Sequence, residues 1–201
     1  MLMRAHIPLL NNDQAIVRPL CRQDEQALGT FFLGLSEATR RRYGPHPFDR
    51  ETARQLCLGI DAEHPDRFVV LIELADGDSE IIGYMIVSPT FWGGDRQRYE
   101  AYDETCLPWM TTVCLAPVIA DAYQSRGIGT PMAMHVLRSA RTMGFTHMIL
   151  MGGVQATNER ARAFYRKLGF QEVGEFLTNY GEPMNNYDMM LTLDDIEPLE
   201  Y

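Results

Sequence analysis

Gln124-Ser125-Arg126-Gly127-Ile128-Gly129-Thr130-Pro131 is the stretch whose reading decides the fold. It lies between an apolar, strand-like run, Val113 to Ala120, and an amphipathic helical pattern that begins at Thr130. Two glycines one residue apart at a strand-to-helix junction allow backbone N–H groups to converge on one small space. The helix behind them adds the positive end of its dipole, so the place suits a phosphate or pyrophosphate. The loop lacks the Gly-Lys-Ser/Thr that a γ-phosphate and magnesium need, which excludes a P-loop nucleotide hydrolase. Taken alone, the glycine pair is weak evidence, because an ordinary strand–helix turn would also contain it.

Working outward, the helix after the loop presents Ala133, Val136, Leu137, Ala140 and Met143 on one face, carries Pro131 in its first turn and stops at Gly144. Thr146 to Met151 reads as a short strand. Thr157 or Asn158 caps a last helix with Ala161, Phe164, Tyr165 and Leu168 on one side, ended by Gly169. Phe170 to Leu177 and Tyr187 to Leu193 then pair as a closing hairpin. Upstream, the strand runs from Met110 into the loop, and Pro117 within it calls for a bulge or a break. Before it come a strand from Ile16 to Leu20, a helix with Leu28, Phe31, Phe32 and Leu35 at helical spacing, and a short basic segment, Ser36 to Tyr43. A second helix, capped by Asp49 or Thr52, leads into a hairpin of Phe68–Leu74 and Ile81–Ser88 turning at Asp76-Gly77-Asp78. Gly83 inside that hairpin suggests a bulge or a close backbone approach. Thr90 to Pro108, with Trp92 and Trp109 at its flanks, reads as a long irregular loop.

This order predicts an α/β (α+β) protein: a mixed, mostly antiparallel central sheet with helices on both faces and a parallel strand pair around the glycine loop. The 201 residues predict a single domain over 1–201, with an acidic C-terminal tail at 194–201. The 27 Asp+Glu against 18 Lys+Arg give a net charge of −9, which argues against a nucleic-acid partner and is compatible with a cationic or amine substrate. The same charge is ordinary for a soluble protein. Cys21, Cys57, Cys106 and Cys114 are widely spaced, without C-x-x-C pairs or ligand-type histidine spacing, so neither a disulfide framework nor a metal site is expected. No apolar run has the length of a membrane span and the first residues lack a secretory signal, so no membrane association and a cytoplasmic location are expected.

Three features now converge. Tyr123-Gln124-Ser125-Arg126-Gly127-Ile128-Gly129 resembles the Gln/Arg-x-x-Gly-x-Gly/Ala signature of the GNAT superfamily of N-acetyltransferases. Asn158 followed by Tyr165 is similar to the Asn and Tyr of that family's next helix, and Lys167-Leu168-Gly169-Phe170 is similar to its helix ending. Val17-Arg18-Pro19-Leu20 and Leu35-Ser36-Glu37-Ala38-Thr39-Arg40 resemble the opening of the acetyltransferase domain of bacterial protein acetyltransferases. The resemblance covers Ile16 to Leu193.

The resemblance implies a splayed parallel strand pair that binds acetyl-CoA as acyl donor, with no metal. On it, the backbone of Pro117, Val118 and Ile119 pairs with the pantetheine arm, and Pro117 is a physical reason for a bulge that opens the splay. Gln124, Ser125, Arg126, Gly127, Ile128, Gly129 and Thr130 hold the pyrophosphate, Asn158 bonds the pantetheine, and Tyr165 protonates the departing thiolate. An amine acceptor, of a protein or a small molecule, attacks the thioester directly in a ternary complex, and a homodimer follows family habit. Members that acetylate protein N-termini often carry a Glu before the Asn, where this chain has Gly152-Gly153. Glu100, Asp103, Glu104 and Asp121 are then the reachable carboxylates for a general base. Glu104 leads, because it precedes the long strand on which other members place one. Asn158 alone would read as a helix cap and Tyr165 alone as a core aromatic. Arg40-Arg41-Arg42 reads as a solvated charge run or as a grip on an acidic substrate or on the 3′-phosphate of the coenzyme. A non-catalytic acyl-CoA-binding sensor or regulatory module is the alternative function.

Overall fold

The apolar run that ends in the glycine loop folds as a strand buried along nearly its whole length, Thr112–Ile119, and the rest of the sheet is assembled on its two sides. The computed structural model describes residues 4–8, 14–61, 66–73, 79–91, 93–102, 107–178 and 183–199. In chain order the elements are β1 (Ala5–Pro8), β2 (Gln14–Pro19), α1 (Glu25–Gly34), α2 (Glu37–Arg40), α3 (Arg50–Leu58), β3 (Arg67–Glu73), β4 (Ser79–Ser88) and α4 (Asp95–Glu100). Then follow β5 (Thr112–Ile119), α5 (Gly129–Thr142), β6 (His147–Leu150), β7 (Val154–Gln155), α6 (Glu159–Lys167), β8 (Gln171–Thr178) and β9 (Met184–Thr192).

The sheet runs β1-β2-β3-β4-β5-β6-β9-β7, with β8 on the other edge of β9. Every pairing among the described residues is antiparallel except β5 with β6, which are joined through α5. The expected mixed, mostly antiparallel sheet with one parallel pair is what the chain forms.

Each face carries its own core because side chains alternate along a strand. α5 and α6 cover one face, where Met132, Ala133, Val136, Leu137 and Ala140 pack on Val113 and Leu115. The other face takes α1 and α3, with Leu28, Phe32, Ala53 and Cys57 against Val69, Tyr84, Ile86, Ala116 and Val118. Burial of each large apolar side chain contributes roughly 1.5–3 kcal/mol, enough to fix which face of each helix turns inward. Caps set the helix starts: Asp49 accepts from the Thr52 amide at 2.7 Å and Ser36 from the Thr39 amide at 3.3 Å.

Several expectations are corrected. Pro117 makes no bulge: the β4–β5 register runs without a shift from Gly83↔Ile119 to Ser88↔Cys114. The Ala120 amide bonds the Ile82 carbonyl, and the Met151 amide bonds the Leu115 carbonyl. Alternation therefore points the backbone of Leu115, Pro117 and Ile119 away from β4, where the missing N–H of a proline leaves no gap in the β4–β5 ladder. The bulge lies instead in the β3–β4 hairpin beside Gly83, where the register slips between Val70 and Leu71. The stretch expected to be irregular contains α4, and two short strands, β1 and β7, escaped the periodicity. Residues 193–199 lie against the C-terminal end of α5, with Leu193 fully buried and the Leu199 amide on Thr142 Oγ1 at 2.9 Å. The Asp76–Asp78 turn lies outside the described residues.

Candidate functional site

β5 and β6 pair only as far as Leu115↔Leu150. Beyond that point, Gly152 and Gly153 adopt φ of 72° and 70° and carry the chain away to pair with β9 as β7. Both are left-handed backbone conformations that side chains disfavour. A Cβ on Gly153 would also stand 2.7 Å from the Phe176 ring and 2.8 Å from the Tyr187 carbonyl. The glycine pair is therefore what separates the strands. It leaves the Pro117 carbonyl and the Ile119 N–H on an edge without a strand neighbour among the described residues.

The opening is continuous with a cleft of about 350 Å³. Pro117, Val118, Ile119, Gln124, Ser125, Gly127, Gly129, Thr130, Asn158 and Tyr165 all line it, so ten of the twelve residues expected to hold the donor or protonate its sulfur meet in one place. Ile128 is buried under the loop at 1% exposure, and Arg126 extends over the Tyr123 ring at 5.4 Å. Glu104 lies outside the described residues, as do Asp103, Cys106 and Trp92.

In the glycine loop Ser125 and Gly127 have φ of 62° and 82°, which turns successive amides toward the concave side. α5 then starts at Gly129 with no side chain capping it. Asn158 accepts from the Ala161 amide at 3.3 Å, so it caps α6 while lining the cleft.

Gln124 is the joint of this wall. Its amide donates to the Ile119 carbonyl at 3.0 Å and to Thr39 Oγ1 at 3.2 Å, and its carbonyl accepts from Arg160. Asp121, three residues earlier, accepts from the Ser36 amide at 2.9 Å, Ser36 Oγ at 2.6 Å and Thr39 Oγ1 at 2.7 Å. Desolvation opposes its ionisation, but these donors outweigh it and hold the carboxyl below the usual carboxylate range. Asp121 thus fastens the α2 segment to the loop. Glu100 pairs with Arg96 at 2.8 Å on an exposed helix face.

Tyr165 is 8% exposed, and burial pushes its hydroxyl well above the ordinary tyrosine range, so it stays protonated. On the opposite wall the Tyr43 hydroxyl is buried with no hydrogen-bond partner among the described residues. Burial pushes it up strongly too, with Tyr84, Arg67 and Tyr165 acting on it. Behind Tyr43, His46 Nε2 lies 3.4 Å from the Tyr84 hydroxyl and His46 Nδ1 lies 2.8 Å from the Pro47 carbonyl.

The far side of the opening is braced by an ion cluster. Arg98 of α4 donates to Asp188 at 2.7 and 2.9 Å and to Asp95 at 2.6 Å. Both carboxylates are fully buried, and Asp95 also accepts the Gly152 amide at 3.1 and 3.2 Å. Burial leads in raising the Asp95 pKa. The segment after β4 is therefore locked onto the glycine pair that ends β6.

Arg40 donates to the carbonyls of Phe32, Leu33, Leu35 and Phe48, closing the end of α1, and Arg41 pairs with Glu37. Arg42 alone of the three lines the cleft. Trp109 packs edge-on against Phe91 at 4.8 Å. Sequence reasoning missed Arg160, Thr39 and Tyr43 as cleft residues. Arg160 carried a signal: a cation in a helix's first turn opposes the dipole and needs a reason to be there. Among the described residues no group of three or more His, Cys, Asp or Glu could hold a metal, and no helix is long and apolar enough to cross a membrane.

The sequence model of the Acetyltransferase (GNAT) family matches residues 32–170. Among solved structures, the GNAT domain of S. lividans PAT is 18% identical, with 94% of this chain and 97% of that chain aligned at a TM-score of 0.65. The ribosomal-protein-S5-alanine acetyltransferase of Vibrio fischeri is 17% identical over 92% and 96%, at 0.69. The yncA protein of Salmonella typhimurium, solved with its cofactor acetyl-CoA, is 20% identical over 89% and 94%, at 0.59. At such identities the structural likenesses speak for the fold.

Proposed function

Starting from the fact that this chain belongs to the acetyltransferase (GNAT) family, we propose that it is an N-acetyltransferase that moves an acetyl group from acetyl-CoA to a primary amine by direct attack. The observation that carries this reading is the unpaired edge of β5, opening into a cleft that reaches from the glycine loop to Tyr165.

The cleft fits the donor group by group. An extended pantetheine arm finds the Pro117 carbonyl and the Ile119 N–H in the positions a neighbouring strand would use. The amides of residues 125–130 and the uncapped start of α5 suit the pyrophosphate, with Arg160 beside them. Tyr165, kept protonated by burial, is a donor for the leaving sulfur. No protein nucleophile is required, because the amine itself attacks.

A sensor that binds acyl-CoA without turnover would share the cleft. The two readings separate when calorimetry with acetyl-CoA is combined with thiol release over a panel of peptide N-termini, peptide lysines, polyamines and small amines. The transferase reading expects both binding and release; binding without release for any amine would sink it.

A further inference from the structure

We propose that Arg42 grips an anionic group of the acceptor, and that the amine acetylated in this cleft is a small one bearing a carboxylate, of the α-amino acid kind. The inference rests on the acetyl-transfer reading above and names the acceptor class which that reading leaves open.

The charge of the cleft is opposite to that of the chain. The protein has a net charge of −9, yet no Asp or Glu is among the described residues that line the cleft, whereas Arg42 and Arg160 both are. The described carboxylates beside the opening already accept from other partners: Asp121 from Ser36 and Thr39, Asp95 from Arg98 and Gly152. A polyamine would bring a second cation against a lining that offers it no counter-charge, and its desolvation would go uncompensated. An acceptor with a carboxylate meets the reverse situation.

The two cations serve different sides of the cleft. Arg160 stands on α6, donates to the Gln124 carbonyl and reaches Ser125 Oγ at 3.5 Å, so it belongs with the glycine loop. Arg42 comes from the other face of the sheet, on the segment that follows α2. That segment is pinned to both lips of the opening. On the β5 side Asp121 holds Ser36 and Thr39, and Gln124 donates to Thr39 Oγ1 at 3.2 Å. On the β7 side Gln155 Nε2 donates to the Arg41 carbonyl at 2.8 Å. Alternation along β7 explains the second link: Val154 is buried in the α5–α6 core, so Gln155 points to the opposite face. The Arg42 amide bonds the Thr39 carbonyl at 3.1 Å, which fixes the backbone that carries the side chain.

With the coenzyme's phosphates drawn to the start of α5, the amine approaches the thioester from the α1–α3 face, past Arg42. The segment that bridges the lips narrows this approach, which suits a free small amine better than a polypeptide. Arg42 is also the one cation of its run without a partner among the described residues. Arg40 donates to four backbone carbonyls and Arg41 pairs with Glu37, whereas Arg42 is exposed and lines the cleft. A guanidinium offers two parallel N–H donors to a carboxylate, so it sets an acceptor's orientation as well as matching its charge.

The test uses the whole chain and a panel of α-amino acids, each paired with the amine left when its carboxyl group is removed, together with polyamines and peptides. Thiol release gives kcat and KM for each amine, and calorimetry gives the affinity for acetyl-CoA. We expect kcat/KM for the amino acids to exceed that of their carboxyl-free partners by about tenfold or more, the worth of a charge-assisted hydrogen bond. Arg42→Gln should remove this preference by raising KM for the amino acids, with acetyl-CoA affinity and KM for the carboxyl-free amines within about twofold of the wild type. Arg42→Lys should keep part of the preference, and the thermal midpoint checks that both variants fold. Faster turnover of polyamines, peptides or carboxyl-free amines by the wild type, or an amino-acid preference that survives Arg42→Gln, would overturn the assignment and leave acetyl transfer intact. Loss of acetyl-CoA affinity in Arg42→Gln with amine selectivity unchanged would give the arginine to the coenzyme's phosphates and overturn it as well. Binding of acetyl-CoA with no thiol release from any amine would overturn transfer itself, and the acceptor class with it.

Discussion

Asp121 and Ser36, 85 residues apart in sequence, are joined by two hydrogen bonds that the carboxylate accepts, one from the Ser36 amide at 2.9 Å and one from its hydroxyl at 2.6 Å. The link ties the segment carrying Thr39, Arg42 and Tyr43 to the strand end that leads into the glycine loop. We expect Asp121→Ala to lower stability by about 1 kcal/mol and to weaken acetyl-CoA binding through Thr39 and Gln124. The folded carboxyl lies below its unfolded value of about 3.9, so its contribution is present above that pH and is lost as pH falls through the folded value. Urea midpoints at neutral and strongly acid pH measure this; a wild-type advantage that grows on acidification would contradict it.

Gly127, with φ of 82°, is the second test point. Gly127→Ala adds a methyl group in a left-handed conformation and costs roughly 1 kcal/mol locally. Gly127→Glu also places an anion where the pyrophosphate is expected. Calorimetric titration with acetyl-CoA should show a moderate loss for the first and no measurable binding for the second. Equal affinities would refute the loop as the phosphate site.

Tyr165→Phe should lower turnover by about 10²-fold or more with little change in acetyl-CoA affinity, the magnitude of a lost general acid. Because burial holds the hydroxyl above the ordinary tyrosine range, kcat should show no falling limb from this residue below about pH 10. Rates that match the wild type would mean that sulfur leaves without this proton.

Arg98→Met would strand Asp95 and Asp188, both fully buried, without their cation. Removing one partner of such a cluster costs about 3–5 kcal/mol. A chain that unfolds at a much lower denaturant midpoint is the expected result. The triple change Arg98→Met, Asp95→Asn, Asp188→Asn should recover some of the loss. A single variant as stable as the wild type would show that the cluster does not brace the glycine turn.

The legible regions of the chain were those whose partners are near in sequence. The 3.6-residue spacing of Ala133, Val136, Leu137 and Ala140 marks α5 because the same residues meet the sheet. Asp49 and Asn158 mark helix starts because each bonds an amide three residues on. Pro117 misled for a related reason. A proline is costly only where its N–H is needed, and whether it is needed depends on which neighbour the strand lacks at that point. Gly152-Gly153 drew notice for the carboxylate absent there, whereas its structural work is to turn the chain and hold β6 away from β5.

By itself, then, the sequence determined the strand–loop–helix around Gln124–Pro131, the helix that follows Asn158 and the overall class of sheet. Those features arise from local periodicity, turn chemistry and end-capping, which residues a few positions apart settle among themselves. Only the tertiary structure decided that Tyr43 and Tyr165 share one opening, that Asp121 holds Ser36, and that Asp95 ties α4 to Gly152 just after β6. These contacts join side chains from distant regions of the chain, and they exist because the sheet brings its strands together in a register and then lets β5 and β6 diverge.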